Sequence, residues 1–172
     1  MAFERSTVPE DVISFVAELA VSESGNARFA IELLWRAGKY ADAEDAGEVE
    51  PECVRRAVSS ITPTLRRSEL VSLGLHEKLF LLGAARFFKE NQRAYASLSE
   101  IGEGYAVVCE EFGEQPHSHT QLWKYTKFFS GLGILKADIS ETGVRGRSTR
   151  VSLPAVPAYE LEKELCTVLE KR

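Results

Sequence analysis

The 172 residues carry a net charge of −5 and are 44% hydrophobic, apolar enough for a packed core and too apolar for a disordered chain. No apolar run reaches the ~18 residues of a membrane span, and the polar opening MAFERSTVPED is unlike a secretory signal. Cys53, Cys109 and Cys166 stand far apart and outside any C-x-x-C pair, which argues against a disulfide framework or zinc knuckle and for buried free thiols in a reducing cytosol.

Helices are expected through most of the chain. Thr7 and Glu10 have capping-box spacing, with Pro9 near the first turn, and Val12, Val16, Leu19 and Ala20 continue one apolar face to about Glu23. Ser24, Gly25 and Asn26 read as turn and cap residues before a second helix. Its face is expected to be Ala27, Ala30, Ile31, Leu34 and Gly38, fading near Ala41. Arg28 is out of place in the first turn, because the amino end of a helix carries partial positive charge. DAEDAGEVEPE is an acidic connector. PECVRRAVSSI is a short helix with Val54, Ala57, Val58 and Ile61 inward, and Thr62 and Pro63 open a further helix that stops near Gly74.

The second half has a different rhythm. HEKLFLLGAARFFKEN places Leu79, Leu82, Ala85 and Phe88 on one face, and RAYAS fits an edge strand. Ser97 and Glu100 form a capping box into LSEIGEGYAVVCEEFG. Ser118 and Gln121 have the same spacing ahead of TQLWKYTKFFSGLGI, whose inward stripe is Leu122, Tyr125, Phe129 and Leu132. ILKADIS and STRVSLP then alternate as strands about an ETGVRGR tip, and AYELEKELCTVLEKR closes the chain as an amphipathic helix. The fold class is mainly α, with one two-stranded hairpin.

Three helices followed by a hairpin is the order of a winged helix, with the third helix as the recognition helix and the hairpin as the wing. Residues 116–154 hold six basic against two acidic side chains inside an acidic protein, so an anionic partner should meet that segment. With Leu122, Tyr125 and Phe129 inward, Thr120, Gln121, Trp123, Lys124 and Lys127 point outward. Gln and Lys suit base edges and phosphates, and His119 lies at the DNA-facing start of the helix. Ser118 and the free N–H groups of the first turn suit a phosphate. Arg145 and Arg147, separated by Gly146, fit a narrow minor groove, and Arg150 follows on the return strand. A protein-docking winged helix is the alternative, with Phe128 and Trp123 as anchors.

Enzyme signatures are missing: no G-x-x-x-x-G-K-[ST], no G-x-S-x-G and no H-E-x-x-H occurs. His117 and His119 alternate without a thiol or carboxylate at ligand spacing, so no metal site is expected.

The stretch ERSTVPEDVISFVAELAVSESGNARFAIELLWRAGKYADAEDAGEVEPECVRRA resembles the lid domain of archaeal replication initiators. These are AAA+ proteins related to the eukaryotic origin recognition complex and its helicase-loading partner. The most specific piece is G-N-A-R-x-A-I-x-L-L-x-x-A-G at residues 25–38, similar to the family's G-D-A-R sensor-2 motif, with Asn26 in place of the usual Asp. LHEKLFLLGAARF resembles the family's lead-in to its C-terminal winged helix, and the likeness runs from Phe3 to Leu153. It implies a helical lid over residues 1–74 and a winged helix over 75–172. It implies that Arg28 reaches nucleotide phosphates held by an ATPase core, against the plain alternative of a surface pair with Glu23 or Glu32. Duplex origin DNA, a replicative helicase or another initiator subunit are the implied partners, in the cytoplasm at the nucleoid and away from membranes. Walker A, Walker B and sensor 1 do not occur in this chain, so the resemblance implies no ATP hydrolysis by it alone; ATP and Mg belong with the ATPase core.

Overall fold

The computed structural model describes residues 7–23, 25–61, 67–140 and 148–170. Among them are eight helices and three strands: α1 (Glu10–Ser22), α2 (Ala27–Ala43), α3 (Pro51–Ile61), α4 (Arg67–Ser72), α5 (Leu75–Asn91), β1 (Tyr95–Ser97), α6 (Leu98–Glu111), α7 (His119–Gly131), β2 (Lys136–Ser140), β3 (Ser148–Ser152) and α8 (Ala158–Leu169). The fold is mainly α, as expected.

The first apolar cluster joins α1, α2 and α3 through Val12, Phe15, Val16, Leu33, Ala37, Ala41, Val54, Ala57 and Val58. Helix α1 begins at Glu10, with Pro9 at its cap position and no capping side chain. Thr7 lies two residues too early for the expected box. Its carbonyl instead accepts the Val49 N–H at 2.8 Å, tying the amino end to the acidic connector. Asn26 does cap α2: its Oδ1 accepts the N–H groups of Arg28 and Phe29 at 3.0 and 3.4 Å. The buried face of α2 is rotated from the expected one. Leu33, Ala37, Gly38 and Ala41 face inward, while Ala27 is exposed and Ile31 is 70% exposed. The small residues of that face let α2 lie close against α3, a packing that α2's own periodicity does not reveal.

The second cluster is built around α5, whose residues Leu79–Ala85 and Phe88 are all buried, with α6 and α8 packed on it. Leu70 and Leu73 join this cluster from α4 and the turn after it. Gly74 is the cap position of α5, where the Glu77 carboxylate accepts its N–H at 2.7 Å. Helices α5 and α6 touch through glycines: a Cβ on Gly83 would sit 2.7 Å from the Tyr105 nitrogen. The Ser97–Glu100 capping box forms at the start of α6.

The sheet is antiparallel in the order β1-β3-β2, so RAYAS does supply an edge strand. Ala96 pairs with Val151, and Asp138 with Arg150. Leu132, expected inward, is 48% exposed. It is the residue after the last turn of α7, and the chain reverses at Gly133 (φ +72°) so that Ile134 and Leu135 are buried in its place. All three cysteines are free, and burial pushes the Cys53 and Cys109 thiols up.

Candidate nucleic-acid interface

Helix α7 buries Leu122, Tyr125, Thr126 and Phe129, which orients everything else on it. His119, Thr120, Lys124, Lys127 and Phe128 are exposed. Lys124 and Lys127 form no ion pair with the described residues; the Lys127 ammonium lies 5.1 Å from the centre of the Trp123 ring. Three expectations need correction. The Ser118–Gln121 capping box does not form: Ser118 occupies the cap position through its backbone, and its hydroxyl makes no cap hydrogen bond. Gln121 is half-buried beside the Tyr125 hydroxyl rather than outward. Trp123 is half-buried against the core, so it is not the outward side chain or free docking anchor that the helical period suggested.

The lead into α7 is held by an aromatic cluster that no spacing predicts. The His76 and His117 rings stack with centres 3.7 Å apart. His76 Nδ1 lies 2.7 Å from the Tyr105 hydroxyl, and His117 Nδ1 lies 2.7 Å from the Tyr125 hydroxyl. The His117 backbone N–H donates to the Tyr105 oxygen at 3.1 Å. Burial, and next the facing His117, hold the His76 pKa down, while Glu114 at 3.9 Å opposes them. His117 and His119, two residues apart, diverge: both are exposed, but only His117 joins the cluster.

The hairpin stem differs from expectation too. Arg150 is not a free phosphate ligand. Its guanidinium lies 2.6 Å from the Glu18 carboxylate of α1 and 3.9 Å from Asp138, and it stacks over the Tyr95 ring at 4.2 Å. Lys136 lies 3.6 Å from the same Glu18 and 3.9 Å from Asp138. Two cations thus meet two carboxylates across the stem. Arg145, Gly146 and Arg147 lie outside the described residues.

Arg28 is exposed at the start of α2, and its side chain forms no ion pair with the described residues. Glu32, four residues on, is taken by Arg36 at 2.8 Å, so the surface pair set against a phosphate role does not form.

Arg55 is a residue that sequence reasoning missed. It is 0% exposed. Nε donates to the Leu153 carbonyl at 2.9 Å, Nη2 to the Arg93 carbonyl at 2.7 Å, and Nη1 to Glu52 at 3.2 Å. The rings of Phe88 and Phe15 lie 5.0 and 5.6 Å away. Burial draws its pKa down and Glu52 opposes this. An α3 cation thereby fastens the first cluster to the neighbouring ends of β1 and β3. The one available signal was its place in PECVRRAVSSI, next to Val54 on a helix only three turns long.

The comparisons agree with this architecture. Residues 1–59 match the Cdc6 AAA+ ATPase-type lid domain, and residues 68–163 match the C-terminal winged helix domain of CDC6. ORC1-type DNA replication protein 2 of Sulfolobus acidocaldarius is 34% identical over 99% of this chain and 42% of its own length. Its namesake from Sulfurisphaera tokodaii is 32% identical over 94% of this chain and 40% of its own. The crystal structure of Cdc6p from Pyrobaculum aerophilum overlays with a TM-score of 0.85 at 29% identity, covering 98% of this chain and 44% of that one. The Aeropyrum pernix ORC1 protein in complex with DNA overlays at 0.54 and 28% identity, covering 96% and 42%. The chain spans about two-fifths of the length of these relatives. With matched lid and winged helix joined in one chain, and with relatives above 30% identity across nearly all of it, the chain belongs to the Cdc6/ORC1 family of replication initiators.

Proposed function

We propose that this region binds duplex origin DNA through α7 and the hairpin, while its lid senses a nucleotide held by an ATPase core. The observation that carries the reading is the exposed stripe Thr120, Lys124 and Lys127 on α7, whose lysines meet no carboxylate among the described residues. A helix admitted to the major groove with cations outward positions itself on phosphates and base edges. Arg145 and Arg147, spaced by Gly146, are assigned to the minor groove beside it. His119 and the backbone amides after Ser118 are assigned to a phosphate at the helix start. A structure of a relative carrying DNA supports the partner class.

Arg28 is the proposed nucleotide sensor. Its exposure and lack of a described ion pair suit a phosphate supplied from outside this chain. ATP and Mg would bind in the ATPase core, and this chain alone would neither hold nor hydrolyse ATP. Helicase or initiator subunits are the proposed protein partners, in the cytoplasm at the nucleoid. No helix among the described residues is long and apolar enough to cross a membrane. A protein-docking reading is favoured by one observation, the exposure of Phe128 (44%) and Leu132 (48%) at the carboxyl end of α7.

Fluorescence anisotropy with a labelled duplex at 50 and 200 mM salt separates the two. The DNA reading expects binding that weakens steeply as salt rises. No binding at the lower salt would leave docking as the function of α7.

A further inference from the structure

We infer that Glu18, a lid residue far from the recognition helix in sequence, sets how many cations the hairpin stem offers to DNA. The inference rests on the DNA-binding reading above and deepens it.

Glu18 belongs to α1, and α1 leans on the sheet through Phe15, whose ring meets Tyr95 edge-on at 6.0 Å. From there its carboxylate reaches both stem cations, Arg150 at 2.6 Å and Lys136 at 3.6 Å. Asp138, paired with Arg150 across the strands, adds a second carboxylate at 3.9 Å from each. Without Glu18 the stem would hold two cations against one carboxylate. With it, the four charges cancel.

A carboxylate and a phosphate present the same kind of oxygen acceptors to a guanidinium. Glu18 therefore occupies Arg150 in the way a DNA backbone would. The pair is partly open to solvent, with side-chain exposures of 41% for Arg150 and 25% for Glu18, so a phosphate can reach the guanidinium; the Glu18 Oε2 is itself buried without a hydrogen-bond partner, so Glu18 holds Arg150 against that exchange. Glu18 acts through Arg150 and Lys136 and is a positioning residue, not a DNA contact. The lid, in this arrangement, holds back part of the winged helix's own charge.

The test uses the full chain in anisotropy titrations against one labelled duplex between 50 and 200 mM salt. Glu18→Gln should bind several-fold more tightly at the lower salt, and its salt slope should steepen by about one for each cation released. Glu18→Asp keeps the charge but withdraws it by a methylene, and should gain less. Arg150→Ala in the wild-type background should change little, whereas added to Glu18→Gln it should remove most of the gain. A purely structural tie predicts the reverse for Glu18→Gln, with weaker binding and an unchanged slope, and that result overturns the inference. Unchanged affinity in Glu18→Gln and Glu18→Asp overturns it while leaving the DNA reading intact. No DNA binding by the wild type overturns both.

Discussion

The cations of α7 and those of the hairpin stem come from one basic stretch of chain, yet the fold treats them oppositely. Lys124 and Lys127 stand in solvent without a described carboxylate, while Arg150 and Lys136 are met by Glu18 and Asp138. A tally of charge along the sequence treats all four as equal. Their usefulness to a polyanion is decided by what the rest of the chain brings beside them. The helix α7 is surrounded by its own winged-helix elements, whereas the stem lies under the lid, and the lid adds an acid, Glu18, to the stem's own Asp138.

That contrast can be broken from beneath. Arg55→Ala should have the largest effect, because it strands the Leu153 and Arg93 carbonyls and leaves Glu52 without its partner. A loss of about 3 kcal/mol is expected in urea unfolding. In the surviving folded molecules the lid should release the stem, so that Arg150 begins to matter for DNA affinity. Next comes Lys124→Ala with Lys127→Ala, expected to lower DNA affinity roughly tenfold at low salt and to flatten the salt slope by about two. An unchanged slope would mean that α7 does not face DNA. A smaller effect is expected from pH. The pKa of His76 is lowered in the folded protein, so the unfolded chain binds the proton more readily and stability falls as pH drops below the usual histidine value of about 6.5. His76→Phe should remove that dependence in thermal melts followed from pH 7.5 to 5. Smallest of all, Arg150→Ala alone should alter DNA affinity by about twofold or less, the share of one already neutralised cation.

Local signals made much of the fold legible. The Ser97–Glu100 box, the Asn26 cap, the α5 stripe and the short edge strand are each written within a few residues, and each formed. The misreadings share a cause. Ile31 and Leu132 have the right period but their exposure depends on which neighbour arrives, and Gln121 has capping spacing but lies beside Tyr125 instead. In the candidate site, the exposed lysines of α7 follow from its period alone. The tether on Arg150 does not, because Glu18 lies 132 positions away, nor does the role of Arg55, whose acceptor lies 98 positions away. Nothing in residue spacing marks His76 as the stacking partner of His117.

Arg55 grips its neighbours by their main chain. Every peptide unit carries a carbonyl, so the joint itself makes no demand on the side chains at positions 93 and 153, although Leu153 is held by the core in which it is buried. Position 55 has no such latitude: a lysine has one ammonium where the guanidinium spreads three donors toward three acceptors. Divergence among relatives should therefore fall unevenly across this joint, with position 93 drifting and the grasping side chain standing still.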